Sequence, residues 1–202
     1  MERMKQIVLA TGNPGKLREL VAMLAGTGIQ VIPQTEFNVT DAEETGLSFV
    51  ENAILKARNA SRQTNLPAIA DDSGLEVEAL GGAPGIYSAR YAGEDAEDAD
   101  NTAKLLLALQ DVPSERRRAR FRCAMVYLKH SSDPAPLICE GIWEGHILEA
   151  PRGSNGFGYD PVFLVSELGC SSAELPPDEK NRLSHRGQAL KKLVAVLTRE
   201  PD

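Results

Sequence analysis

Residues 6–24 read QIVLATGNPGKLRELVAML, and this segment says most about the architecture of the chain. After Gln6, the next four residues form an apolar run that is typical of a buried β-strand. Apolar residues then recur at the spacing of one helix face, at Leu17, Leu20, Val21 and Leu24. A helix with this face would end at Gly26 and Gly28. The order of strand, glycine-containing turn and helix predicts an α/β fold.

The rest of the chain continues this alternation. Strands are predicted at 30–33, 67–70, 75–80, 118–129, 137–149 and 161–165. Helices are predicted after Ser48, which stands in a capping box with Glu51, around 102–109, and after Ser184. We therefore expect an α/β fold with a long mixed β-sheet flanked by helices. Two lobes should lie around a central cleft, with residues 1–202 forming a single domain.

Composition excludes several classes of function. The chain has 202 residues, 42% of them hydrophobic, which is enough for a substantial core. A net charge of −7 argues against a general nucleic-acid binder. The cysteines Cys123, Cys139 and Cys170 are odd in number and lack CxxC spacing, which indicates reduced thiols. The N-terminal apolar run is too short for a signal peptide or a membrane span, so we expect a cytoplasmic protein without a membrane partner.

The turn after the first strand has the chemistry of an anion site. It reads Thr11-Gly12-Asn13-Pro14-Gly15-Lys16. A helix N-terminus offers free N–H groups and the positive end of the helix dipole, and Lys16 adds a point charge, so the predicted ligand is phosphate. The turn is not a Walker A loop, because Ala10 and Leu17 stand where that motif has glycine and Ser or Thr. An ordinary strand–helix connection explains the turn equally well.

Acidic residues further along the chain suggest a metal site. Asp71 and Asp72 follow an apolar run, where carboxylates are costly unless they hold a cation or lie at the mouth of a site. Neighbouring strand residues point to opposite faces, so one aspartate is expected in the site and the other in a structural role. Glu44 could meet an aspartate across Mg²⁺, which prefers oxygen ligands, and Lys56 could join them. The alternatives are turn formation for the two aspartates, a solvated acidic loop for Glu44 and an exposed helical position for Lys56. For nearby Asp41 we expect the solvated loop.

The last third of the chain holds candidate groups for a purine ring. The motif GFGYDP at 156–161 places Phe157 and Tyr159 on glycine hinges beside Asp160, an arrangement suited to stacking on a flat ring. Cationic residues near the start of the last helix oppose its dipole, which favours a ligand that accepts their hydrogen bonds. These residues are Lys180, His185 and Arg186. With the phosphate turn and the acids, they indicate a nucleoside polyphosphate site.

Six motifs closely resemble, in order and from end to end, those of the inosine triphosphate pyrophosphatase family. The resemblance is to the bacterial-type dITP/XTP pyrophosphatases. The motifs are ATGNPGK at 10–16, ENAILKA at 51–57, ADDSG at 70–74, GGAPGIYSARYAG at 81–93, GFGYDP at 156–161 and SHRGQAL at 184–190. Tyr159 stands where some relatives carry tryptophan.

The resemblance implies a Mg²⁺-dependent homodimer that binds purine nucleoside triphosphates and no nucleic acid. It would hydrolyse ITP, dITP and XTP to the monophosphate and pyrophosphate, keeping them out of DNA and RNA. Glu44 and Asp72 would hold the metal, and Asp72 would also be the catalytic proton acceptor. The other residues would bind the substrate: Thr11, Gly12, Asn13, Pro14, Gly15, Lys16, Lys56, Ser73, Phe157, Gly158, Tyr159, Asp160, Lys180, His185 and Arg186.

Two other functions stay open at this point. One is a pyrophosphatase for modified pyrimidine or general nucleoside triphosphates. The other is a non-catalytic sensor of purine triphosphates, which would have less need for metal-held acids. Donors such as His185 and Arg186 suit the 6-keto group of hypoxanthine and xanthine, whereas the 6-amino group of adenine would leave them unpaired.

Overall fold

The computed structural model describes residues 6–198, in which strands and helices alternate as far as the fourth strand, three further strands follow, and two helices end the described chain. The strands are β1 (Gln6–Leu9), β2 (Gln30–Pro33), β3 (Ala68–Val77), β4 (Arg118–Leu128), β5 (Leu137–Ile147), β6 (Phe163–Val165) and β7 (Cys170–Ser171). The helices are α1 (Pro14–Leu24), α2 (Phe49–Thr64), α3 (Asp98–Ala108), α4 (Pro177–Leu183) and α5 (His185–Leu197).

These strands form one mixed sheet in the order β2-β1-β3-β4-β5-β6-β7. Strand β1 is parallel to β2 and to β3, whereas β6 is antiparallel to β5 and to β7. Parallel neighbours need a crossover connection, which α1 provides between β1 and β2, and α2 then carries the chain from β2 to β3 on the other side of β1. The predicted α/β fold with a mixed sheet and flanking helices is confirmed.

The described chain divides into two compact units, which correspond to the two predicted lobes. The first unit comprises residues 6–72, 123–141 and 186–198, and the second comprises 73–122 and 142–185. Strands β3, β4 and β5 each contribute residues to both units.

In the first unit, successive residues of a strand pack into apolar clusters on opposite faces of the sheet. Ile7 and Leu9 of β1 pack with residues of α1 and α5, whereas Val8 packs with residues of α2. This alternation follows from the two-residue period of a strand. The buried face of α2 consists largely of alanines, Ala53, Ala57 and Ala60, so the helix can approach the sheet closely.

The second unit is built around aromatic side chains. The ring of Phe163 lies 4.6 Å from that of Phe121 and 5.2 Å from that of Trp143, measured between centroids. Trp143, the single tryptophan of the chain, is buried in this cluster. Aromatic pairs at these separations stabilise a core beyond the area they bury.

Several elements differ from the prediction. Strand β3 runs without a break through Asp71 and Asp72, where the sequence predicted two separate strands at 67–70 and 75–80. Helix α4 and strand β7 were not predicted. The predicted strand at 161–165 begins only at Phe163, because Asp160–Val162 forms a 3-10 turn.

No helix within residues 6–198 is long and apolar enough to cross a membrane. Residues 1–5 of the N-terminal segment considered above lie outside the described residues.

Candidate functional site

The predicted site residues fall into two groups, one in each unit. The first unit holds Thr11, Gly12, Asn13, Pro14, Gly15, Lys16, Glu44, Lys56, Asp72 and Arg186. The second unit holds Ser73, Phe157, Gly158, Tyr159, Asp160, Lys180 and His185.

The turn before α1 is closed by its own side chains. Asn13 is the N-cap, and its Oδ1 accepts hydrogen bonds from Gly15 N–H at 2.8 Å and Lys16 N–H at 3.0 Å. Thr11 Oγ1 accepts from Asn13 N–H at 3.2 Å. Pro14 needs no partner at the first helical position because it has no N–H. A phosphate bound to these N–H groups would therefore replace Asn13 Oδ1 as the acceptor.

Asp71 is the centre of a buried ion cluster. Its Oδ2 lies 3.1 Å from Lys16 Nζ and 3.3 Å from Arg186 Nε, and Arg186 also pairs with Glu19 at 2.5 Å. Burial alone would raise the pKa of Asp71, but Lys16 and Arg186 hold that pKa well below its ordinary value. The Oδ2 atom of Asp71 is thus paired with two cations, whereas its Oδ1 atom is buried and has no hydrogen-bond partner within residues 6–198. The structural role predicted for one of the two aspartates would fall to Asp71.

Asp72 faces the other side of the sheet. Ile69 of β3 packs with α1 and α5, whereas Ala70 packs with α2, so Asp72 points towards α2. There its Oδ1 lies 2.6 Å from Lys56 Nζ, and Glu44 Oε1 lies 2.9 Å from the same nitrogen. Asp72 Oδ2 is buried and has no hydrogen-bond partner in the part of the chain that the structure describes.

Burial and neighbouring charges shift the pKa values of Asp72 and Lys56. Burial raises the pKa of Asp72, and the Lys56 ammonium offsets part of the rise. Burial would lower the pKa of Lys56, but Asp72, Asp71 and Glu44 together hold it above its ordinary value. Lys56 therefore stays an ammonium, and Asp72 is a stronger base than an exposed aspartate.

These residues fit a magnesium ion. Within residues 6–198 no group of three or more His, Cys, Asp or Glu residues could hold a metal. Magnesium usually needs only one or two carboxylates, because water and substrate phosphates complete its coordination. Glu44 and Asp72 both contact Lys56 Nζ, so their carboxylates lie close together. The second carboxylate oxygen of Asp72 is buried and can accept a cation.

In the second unit, Asp160 anchors the glycine-rich loop. Its carboxylate pairs with Lys180 Nζ at 2.5 Å and accepts from Ser172 Oγ at 2.8 Å and Phe157 N–H at 2.9 Å. A Cβ at Gly156 would lie only 2.1 Å from Asp160 Oδ2, and Gly156 has φ +77°, so no larger residue fits there. The loop is therefore held by a buried ion pair.

The aromatic residues of this unit have different environments. Phe157 is half-buried, whereas Tyr159 is buried and its hydroxyl donates to the Ser88 carbonyl at 2.8 Å. The buried ring of His185 stacks on Phe121, with centroids 4.8 Å apart and planes 10° apart. Of the two predicted stacking rings, Phe157 is thus the more accessible.

Two further predicted residues have simpler surroundings. Gly158 N–H donates to Asp98 Oδ2 at 2.7 Å, which ties the loop to the first residue of α3. Ser73 is half-buried and directly follows Asp72 on β3.

Two residues near the phosphate turn were missed by sequence reasoning. Glu19, the second partner of Arg186, lies three residues after Lys16 on α1, and that helical spacing could have signalled it. Asp41 accepts from buried Gln34 Nε2 at 2.7 Å, and a Cβ at Gly12 would lie 3.4 Å from its carboxylate. The sequence alone favoured a solvated loop for Asp41.

Proteins of similar sequence are named for one activity. A protein of Vibrio cholerae named dITP/XTP pyrophosphatase is 61% identical over 194 residues, which cover 96% of this chain and 97% of that protein. A Shigella flexneri protein of the same name is 59% identical over 194 residues, covering 96% and 98% of the two chains.

Solved structures agree with these matches. A HAM1 protein from Coxiella burnetii superposes with a TM-score of 0.89 at 55% identity, over 96% of this chain and 99% of the other. The Ham1 protein of Staphylococcus aureus gives a TM-score of 0.84 at 42% identity, over 96% and 98%. The model of the Ham1 family matches residues 7–196. The chain therefore belongs to the Ham1 family.

Proposed function

We propose that this chain hydrolyses the non-canonical purine nucleoside triphosphates ITP, dITP and XTP to the monophosphate and pyrophosphate. This reaction would remove them from the nucleotide pool before they enter DNA or RNA. The name dITP/XTP pyrophosphatase, borne by relatives about 60% identical, supports the proposal. The observation that carries it is that Glu44 and Asp72 both contact Lys56 Nζ. Asp71, the residue before Asp72, pairs with Lys16 of the phosphate turn.

Magnesium dependence is part of the proposal, and the charge balance supports it. Each of the cations Lys16, Lys56 and Arg186 is already paired with a carboxylate of the first unit. A triphosphate, which carries about four negative charges, needs further positive charge to bind among them. Glu44 and Asp72 would hold Mg²⁺, which when bound offsets this charge and polarises phosphate oxygens.

The residues of the chain would then perform the chemical step as follows. Lys16 and Lys56 bind and orient the phosphates as point charges. A water oxygen attacks the α-phosphorus, the bond from that phosphorus to the bridging oxygen breaks, and pyrophosphate leaves with the electron pair. Asp72 accepts the proton of the attacking water, a role that suits a carboxylate whose pKa is raised by burial.

Base selection would rest on the remaining residues. Phe157 would stack on the purine, and Lys180 and Asp160 would hold the loop that carries it. Arg186 already donates to Asp71 and Glu19, so of the two predicted donors His185 would contact the 6-keto group, which adenine lacks. A buried donor left without an acceptor is costly, so ATP should be a poor substrate.

The same proposal covers assembly and location. Residues 1–202 would act as a single pyrophosphatase domain in a cytoplasmic homodimer that engages neither nucleic acid nor membrane. Size-exclusion chromatography with light scattering would test the dimer, because a mass near 21.8 kDa, that of one chain, would contradict it.

A substrate panel tests the proposed activity. Pyrophosphate release would be measured from ITP, XTP, dITP, ATP and GTP, each with Mg²⁺ and with EDTA. Metal-dependent release from ITP, XTP and dITP, with little from ATP, would support the proposal. GTP also has a 6-keto group, so its rejection would have to come from contacts at the 2-position of the base. Release from all five would keep the reaction but remove the base-selection argument. Binding of ITP without release would favour a nucleotide sensor instead.

A further inference from the structure

The loop that carries Glu44 is fastened to the start of α2 by two side chains. Glu51 Oε2 accepts from Leu47 N–H at 3.0 Å and from Ser48 Oγ at 2.7 Å. Asn52 Oδ1 accepts from Gly46 N–H at 2.8 Å. Three consecutive residues, 46–48, are thus bonded to the first turn of the helix, only two residues after Glu44.

Asn52 is unusual for the face it occupies. Its exposed fraction is 0%, on a helix whose buried face otherwise consists largely of alanine. Its Nδ2 is buried and has no partner among the described residues. An unpaired buried amide costs free energy that alanine would not, so packing alone does not account for this residue. Asn52 also lies four residues before Lys56, on the same side of α2.

Gly46 is fitted closely to this clamp. A Cβ at position 46 would lie 2.6 Å from Glu51 Cβ and 2.7 Å from Asn52 Oδ1. Both distances are too short for any side chain, so a larger residue would displace the loop from the helix. The contact between Gly46 and Asn52 therefore limits how closely Gly46, two positions after Glu44, can approach α2, while Glu51 holds residues 47 and 48.

We propose that Asn52 is a positioning residue that holds Glu44 beside Asp72, and that it thereby sets the affinity of the site for Mg²⁺. The inference rests on the function proposed above. Lys56 Nζ is the point on which both carboxylates converge, and Lys56 projects from the same helix that Asn52 ties to the Glu44 loop. Releasing this contact would leave Asp72 in place on β3 while loosening the loop that carries Glu44.

Four variants separate positioning from plain stability. Asn52→Ala removes the acceptor of Gly46 N–H. Gly46→Ala adds a Cβ that collides with Glu51 and Asn52, so it pushes the loop away from α2. Each should weaken metal binding about tenfold, the low end of the range for groups that orient metal ligands. The double variant should be little worse than either single variant, because both break one contact. Asn52→Asp keeps the acceptor for Gly46 N–H but buries a carboxylate, so it should be less stable than the wild type in urea and yet bind the metal more tightly than Asn52→Ala.

The matched control is Asn101→Ala in the second unit. Asn101 is also buried, and it clamps a loop by accepting from Ala92 N–H at 2.7 Å and donating to the Ala89 carbonyl at 3.1 Å. Its loss should lower the thermal midpoint without changing metal affinity. An equal weakening of metal binding by Asn101→Ala would show that general destabilisation is the cause.

Two readouts apply to every variant. The first is Mn²⁺ binding, followed by electron paramagnetic resonance with an ITP analogue that has a methylene bridge between the α- and β-phosphorus atoms. The second is the Mg²⁺ concentration that gives half-maximal pyrophosphate release from ITP. The proposal is overturned if Asn52→Ala matches the wild type in both readouts, or if Asn52→Asp is as weak as Asn52→Ala. A wild type that neither binds Mn²⁺ nor releases pyrophosphate would instead overturn the proposed function.

Discussion

The buried ion pair between Asp160 and Lys180 makes a quantitative prediction for Lys180→Met. The side chains of Lys180 and Asp160 are only 6% and 5% exposed, and their charged atoms lie 2.5 Å apart. Methionine has a similar length but no charge, so the substitution leaves the Asp160 carboxyl group in the interior without its cationic partner. Two hydrogen bonds, from Ser172 Oγ and Phe157 N–H, would remain to it.

The expected loss is a large part of the stability of a typical domain. Removing one partner of a buried pair costs about 3–5 kcal/mol, against about 5–15 kcal/mol for the unfolding of a typical domain. At a urea dependence of about 2 kcal/mol/M, this cost lowers the midpoint of unfolding by about 1.5–2.5 M. Adding Asp160→Asn removes the stranded charge, so the double variant should be more stable than Lys180→Met alone.

Trp143 fluorescence is the natural assay, because the single tryptophan is buried in the same unit. The control is Arg182→Met on the same helix, since Arg182 is 71% exposed and lies 3.8 Å from Glu179. An exposed pair of this kind contributes about 0.2–1 kcal/mol, so the midpoint should move by about 0.5 M at most. A shift for Lys180→Met no larger than that for Arg182→Met would refute the reasoning.

Three further predictions concern the proton acceptor, one buried hydrogen bond and the reactivity of the thiols. Asp72→Asn should lower turnover by about 10²–10⁴-fold, because the proton acceptor is lost, while circular dichroism stays that of the wild type; near-normal pyrophosphate release would remove Asp72 from this role. Tyr159→Phe breaks the bond to the Ser88 carbonyl and should cost about 1–3 kcal/mol of unfolding free energy in urea, because a buried carbonyl is left unpaired; an unchanged midpoint would contradict that contact. Burial raises the pKa of Cys123 to about 12, so its thiol stays protonated at pH 8, and Ellman's reagent should label partly exposed Cys170 first; equal rates for the two thiols would count against the buried position.

Local patterns were enough to predict most of the elements. The apolar run at 7–10 and the helical spacing after Lys16 predicted β1 and α1, and both are confirmed. The spacing of Ser48 and Glu51 predicted the start of α2, where Ser48 Oγ accepts from Glu51 N–H as expected. The Glu51 carboxylate, however, bonds Leu47 N–H and Ser48 Oγ, one residue earlier in the backbone than a capping box requires.

Long-range charge pairing could not be predicted in the same way. Asp71 and Asp72 looked like the end of a strand, because two adjacent carboxylates are costly inside a sheet. Lys16 and Arg186 compensate Asp71 from positions far away in the sequence, and Lys56 compensates Asp72. Strand β3 can therefore continue through both aspartates.

Helix α4 was missed for a different reason. It has only seven residues, too few to show an apolar period, although Pro177 and two acidic residues mark its first turn. Its most buried residue is Lys180, whose burial depends on Asp160 twenty positions earlier. Sequence alone identified Lys180 as a site candidate but not the ion pair that holds it.

The most direct test of the proposed reaction is product analysis of dITP turnover in water labelled with oxygen-18, followed by phosphorus NMR with Mg²⁺ and with EDTA. The account predicts dIMP and pyrophosphate in equal amounts with Mg²⁺, the label in dIMP alone, and no turnover with EDTA. Release of orthophosphate, or label in the pyrophosphate, would contradict attack at the α-phosphorus and with it the assignment of the site.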